Sequence, residues 1–200
     1  MAKETLRERK KAQTRSALWN VAIELFVEHG FDNVSVAQIA AAAEVSKMTF
    51  FNYFPSKEDL VVGPMSEHVD EPALVVRSRR AGETPVDALH RHFLSALAAR
   101  DPNAGMCDKP NVLAVLRLVF STPALTQRAL SVTNATTDAL AAELGADFRS
   151  RAAAAMIVGV RHALIMENTN RLLAGATADE VYPAAVANAD EAFALLRSGL

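Results

Sequence analysis

Between positions 47 and 57 the sequence gathers side chains able to read and grip a polyanion: Lys47, Met48, Thr49, Asn52, Tyr53 and Lys57. If the stretch is helical, Phe50 and Phe54, four apart, share one face and can anchor inward. That leaves Lys47, Met48, Thr49, Asn52 and Tyr53 to point outward. Lysine donates to the acceptors of guanine, asparagine pairs with adenine, and Met48 or Thr49 can touch a thymine methyl. Tyr53 and Lys57 suit phosphate oxygens. The same pattern also fits an ordinary amphipathic helix with a solvated polar face.

Such side chains act only if neighbouring elements hold them out. Ser35-Val36-Ala37-Gln38 has the form of a capping box and opens a short helix, Val36 to Ala43. Ile39 and the small Ala40 and Ala43 allow a second helix to cross closely. Glu44-Val45 makes a brief turn, and Ser46 caps a second short helix, Lys47 to Phe54. Pro55 ends that helix, and Ser56-Lys57-Glu58-Asp59 opens the next with a cap and acidic first-turn residues. Before them, Leu6 to His29 reads as a long helix with Leu18, Trp19, Ala22, Ile23, Leu25 and Phe26 on its apolar stripe, stopped at Gly30. Two short capped helices with a tight turn describe a helix-turn-helix, whose second helix enters the major groove.

The whole chain fits this. Charge is uneven: residues 1–57 carry eight Lys/Arg and six Asp/Glu, whereas 58–200 carry thirteen and seventeen. A basic arm on an acidic body suits a protein that meets a polyanion at one end, although a solvated, frayed terminus has the same composition. The lone cysteine, Cys107, suits a reducing compartment. The charged start lacks a secretory core, and the longest apolar run, Ala152 to Val160, is too short to span a bilayer. A cytoplasmic location without membrane attachment is expected. His90 and His92, two apart on a helix, make a poor metal pair. Neither His-Glu-x-x-His, Gly-x-Ser-x-Gly nor a phosphate-cradling glycine loop occurs, so no enzyme, metal or cofactor is expected. A helical lipid carrier or scaffold is the other reading.

The remainder is all helix, rich in alanine and leucine. Leu60 to about Arg80 reads as a linking helix disturbed at Gly63-Pro64 and Pro72. Further helices are expected over Pro85–Arg100, Asn111–Phe120, Pro123–Leu144, Asp147–Leu173 and Ala178–Arg197, with Asp101–Gly105 a loop.

Ala22 to Ala40, followed by Val45-Ser-Lys-Met-Thr-Phe-Phe-Asn-Tyr-Phe-Pro-Ser-Lys-Glu-Asp-Leu60, closely resembles the TetR family of bacterial regulators. The resemblance covers roughly residues 9–60. It implies an all-α chain with a three-helix DNA-binding domain at 1–58 and a helical effector-binding and dimerisation domain at 59–200. It implies a homodimer paired through the last two helices, bound to double-stranded DNA at a palindromic operator and released by a small molecule. The matching positions imply base contact from Lys47, Met48, Thr49 and Asn52, phosphate contact from Tyr53 and Lys57, and Ser35 and Ser46 near the DNA backbone. Two positions depart from the family pattern: Glu44 stands where glycine is common in the turn, and Phe51 where tyrosine is frequent. For a mostly apolar effector, the flexible and aromatic residues Phe93, Met106, Leu116, Phe120, Met156 and Met166 suit an adaptable lining. His162, Glu167, Asn168 and Asn170 would orient the ligand. The expected place is between the linking helix and the penultimate one, and the same residues could equally fill a core.

Overall fold

The computed structural model describes residues 5–199; Lys3 and Glu4 of the basic arm lie outside them. Among the described residues the regular elements are ten α-helices and a 3-10 turn. They form two compact units, one of residues up to Pro64 together with Ala114–Arg128, the other of Met65–Leu113 and Ala129–Leu200. The first unit thus runs on past position 58 and takes in a later segment of the chain.

The first unit starts with α1 (Leu6–His29), α2 (Val36–Ala42) and α3 (Lys47–Tyr53), followed by α4 (Lys57–Ser66). The caps follow from sequence. Thr5 with Glu8, and Ser35 with Gln38, form reciprocal capping boxes that satisfy the orphan amides of α1 and α2. The Ser46 hydroxyl accepts from the Thr49 amide, and the Ser56 hydroxyl from the Asp59 amide. Gly30, at φ 82, ends α1 in a conformation that favours glycine. The buried faces of these helices meet in a core of Leu18, Ala22, Phe26, Phe31, Ile39, Phe50, Phe54 and Leu60. Phe26 and Phe31 pack with ring centroids 4.8 Å apart, and Phe50 and Phe54 at 5.9 Å. The single tryptophan, Trp19, belongs to this unit, with its indole nitrogen buried.

The second unit contains α5 (Glu71–Arg77), α6 (Pro85–Ala98), a 3-10 turn (Pro102–Ala104), and the long α9 (Phe148–Leu173) and α10 (Ala178–Ser198). Two more helices, α7 (Pro110–Ser121) and α8 (Pro123–Leu144), divide their residues between the units. Leu89, Phe93, Leu97, Met106, Leu140, Ile157, Leu172, Val181 and Phe193 make the core. Alanines at 154, 185 and 189 let the helices approach closely. Ion pairs ring that core: Arg77 with Glu143 at 2.7 Å, Arg100 with Asp179 at 2.6 Å and Arg197 with Asp87 at 2.7 Å. The single cysteine, Cys107, is buried here.

The linking segment is interrupted, as expected, but not at Gly63-Pro64. Pro64 sits inside α4 without breaking it, and the break falls at 67–70, before Pro72 in the first turn of α5. A proline lacks an amide and is tolerated in a first turn, where amides are unpartnered anyway. The Asp101–Gly105 loop holds the 3-10 turn, ended by Gly105 at φ 68. It lies against α9: a Cβ on Gly105 would stand 2.5 Å from the Ile165 carbonyl oxygen.

Candidate nucleic-acid interface and effector cavity

The polar face of α3 is open to solvent. Met48 is 72% exposed, and Lys47 and Asn52 are also exposed, while Phe50 is fully buried beneath them. Burial of Phe50 and Phe54 fixes the helix about its axis and thereby chooses which side chains face outward. Thr49, Asn52 and Tyr53 share an open cleft with Arg7, Lys10, Lys11 and Thr14 of α1. Those four α1 residues recur at helical spacing and so lie on one face. Three cations therefore flank the residues able to touch base edges, a favourable field for a phosphate backbone. Sequence reading noted the basic arm but gave none of these four residues a place. Their 7, 10, 11, 14 spacing was the available signal.

Three residues expected near the DNA backbone are engaged within the unit. Ser35 donates to Gln38 Oε1 at 2.8 Å and accepts its amide, and Ser46 shares a 2.9 Å hydrogen bond with the Thr49 hydroxyl. Lys57 departs most from expectation. Its Nζ donates to the Phe31 carbonyl at 2.8 Å and the Val34 carbonyl at 3.2 Å, and lies 4.2 Å from the Phe31 ring centroid. It ties the start of α4 to the α1–α2 loop and satisfies two otherwise open carbonyls. These two bonds leave one of the three ammonium donors of Lys57 for a phosphate.

Glu44 occupies the turn between α2 and α3 with φ 56, the left-handed region. A non-glycine residue there costs on the order of 1 kcal/mol. Glu44→Gly is therefore expected to stabilise the fold by up to about 1 kcal/mol, less glycine's own entropy cost. If α3 is the reading helix, it should also tighten DNA binding by removing a carboxylate beside it. Denaturant titration and salt-dependent binding check both. Loss of stability would mean that the turn holds its shape for another reason. Phe51, where tyrosine is common, is 50% exposed and packs edge-on to Phe50.

The second unit contains a cavity of about 120 Å³. It lies where the effector was expected, with Met65, His68, Glu71 and Pro72 from the linking segment and Val158, Arg161, His162 and Ile165 from α9 on its walls. Val132, Thr133 and Thr136 of α8 and Asn103 complete it. Of the lining residues expected from sequence, the cavity includes His162 alone. Phe93 and Met106 are buried in the core instead. Leu116 and Phe120 belong to the first unit. Met156 is 49% exposed on α9, Met166 is half-buried, and Glu167 and Asn170 face solvent. Asn168 is buried and structural, its amide donating to the Ala104 carbonyl at 3.0 Å. A buried amide so engaged is costly to free.

Among the described residues no helix is long and apolar enough to cross a membrane. The first unit is a helix-turn-helix domain, with α3 in the position of a reading helix and α1 as basic flank. Residues 18–62 match the model for bacterial regulatory proteins of the tetR family. Over these residues the chain carries a domain of the tetR-family type. It is 40% identical over 122 residues to the HTH-type transcriptional regulator TcmR of Streptomyces glaucescens, covering 60% of this chain and 54% of that one. It is 43% identical over 61 residues to the putative mycofactocin biosynthesis regulator MftR of Mycobacterium tuberculosis, covering 30% and 31%. The matched stretch thus spans about half of the first relative and a third of the second. Across nearly its whole length the fold resembles a TetR-family regulator from Streptomyces coelicolor, with a TM-score of 0.60, 20% identity, and 98% and 99% of the two chains covered. It also resembles Bacillus subtilis FadR, solved with stearoyl-CoA, with a TM-score of 0.54, 21% identity and coverage of 92% and 98%. These likenesses concern the fold alone.

Proposed function

We propose that this chain is a ligand-responsive transcriptional repressor that binds a palindromic operator as a homodimer. The observation that carries the DNA reading is the open cleft in which Arg7, Lys10 and Lys11 flank Thr49, Asn52 and Tyr53. Lys47, Met48, Thr49 and Asn52 read base edges, and the α1 cations with Tyr53 grip phosphates. One short reading helix covers few base pairs, so two-fold pairing supplies the remaining affinity.

The last two helices offer a surface for that pairing. Ala155, Met156, Gly159 and Ala163 are exposed on α9, and Leu195 is 49% exposed on α10. Gly159 has no atom within 4 Å of where a Cβ would sit. A glycine inside a 26-residue helix costs roughly 1 kcal/mol relative to alanine. Close approach by a second helix gives that cost a purpose. A small molecule in the second unit would favour one spacing of the two reading helices, to the extent that it binds the two states differently.

Selection of bound duplexes from a random pool, followed by mobility shift, tests the DNA reading. The selected site should be palindromic. Asn52→Ala should relax preference at one position per half-site, a base contact being worth about 1–3 kcal/mol. Unchanged affinity and preference in that variant would remove α3 from the reading role.

A further inference from the structure

Arg161, on the inner side of α9, lines the cavity of the second unit and has a Nε that is shut off from solvent without a hydrogen-bond partner. Among the described residues no carboxylate comes within ion-pair distance of it. The other polar groups on the cavity wall are better provided for. Thr133 and Thr136 donate their hydroxyl protons to the carbonyls of Ala129 and Val132. The Asn103 side-chain amide donates to Asp101 Oδ1 at 3.1 Å. Glu71 is the one acidic side chain on the wall. Its Oε1 lies 3.7 Å from His68 Nδ1 and 3.5 Å from His92 Nε2, so its charge is directed at two imidazoles. Burial makes the charged form of Arg161 unfavourable, and Glu71 offsets this only in part. A guanidinium is not discharged at physiological pH, so the missing element is an anion.

The rest of the wall fits one end of an amphiphile. Met65, Pro72, Val158 and Ile165 are apolar. A volume of about 120 Å³ is well below the roughly 300–1,000 Å³ of sites that enclose a drug-sized ligand. It suits an anionic head of a few heavy atoms.

We propose that the cavity takes the anionic end of a small amphipathic acid, with Arg161 as its paired cation and the apolar wall against its first carbons. This rests on the reading of the second unit as an effector domain and names the chemistry of the effector. A carboxylate offers two oxygens to the planar guanidinium fork, which a neutral ligand cannot match.

The test uses the full chain without DNA and a matched pair of probes, octanoate and 1-octanol, with acetate and benzoate as shorter acids. Calorimetry and thermal melting should show octanoate binding roughly tenfold more tightly than the alcohol, the ratio expected for one charge-assisted contact. Arg161→Met keeps the length of the side chain and removes the charge. It should fold, melt at or above the wild-type temperature without ligand, and lose the preference for acid over alcohol. Equal binding of acid and alcohol would overturn the proposal. So would acid affinity unchanged in Arg161→Met, or no binding by any of the three acids at millimolar concentration. A mobility shift with the selected operator keeps the two readings separate. Octanoate binding without operator binding would sink the regulator and leave the anion site. Operator binding without acid binding would do the reverse.

Discussion

Gly105→Ala should cost the second unit about 3 kcal/mol or more, combining a left-handed backbone that alanine resists, about 1–2 kcal/mol, with overpacking, about 1–3 kcal/mol. Gly105 has φ 68, and a new methyl would meet Ile165 O at 2.5 Å and Thr169 Oγ1 at 2.8 Å. The carbonyl is part of the α9 backbone and cannot swing aside as a flexible side chain would. Movement of the turn instead would stretch the buried bond from Asn168 to the Ala104 carbonyl. Gly82→Ala is the control. It has φ 78 but nothing within 4 Å, so it carries the conformational cost alone. Denaturant titration of both variants measures the difference. Equal losses would show that contact with α9 is not what demands glycine at 105.

Gly159→Arg should convert the proposed dimer to single protomers and weaken operator binding by about a hundredfold or more, because two linked half-site contacts become independent. The site is open in the chain by itself, with no neighbour to a Cβ, so the variant should fold. An exposed helix interior even gains by the change, up to about 1 kcal/mol. A large charged side chain in the middle of a face built of Ala155, Gly159 and Ala163 is incompatible with close helix approach. Light scattering gives the assembly state and titration of the operator the affinity. A variant that stays dimeric with wild-type affinity would place the interface elsewhere.

What could be read from the sequence was set by local chemistry. The limits of α1 and α8, Leu6–His29 and Pro123–Leu144, follow from signals beside them: Gly30 for one, Pro123 and Gly145 for the other. The outward face of α3 follows from Phe50 and Phe54, four residues apart. What escaped depends on partners distant along the chain. The bonds of Lys57 to Phe31 and Val34, 26 and 23 residues earlier, lie beyond any local pattern. Composition cannot distinguish Phe93 and Met106 as core from the same residue types as lining. The cavity draws its walls from four separate stretches between Met65 and Ile165. Pro64 was expected to disturb its helix, yet the ends were decided by the turn at 67–70.

Trp19 and Cys107, each the single residue of its type, fall in different compact units. Each half of the molecule therefore carries its own native reporter. Indole emission follows the surroundings of α1 in the first unit. Alkylation of the buried Cys107 is expected to quicken when the second unit opens. Recorded together during a denaturant ramp, the two signals show whether the units melt in one step or two. Recorded with octanoate present, they show which unit the acid protects, with no engineered residue.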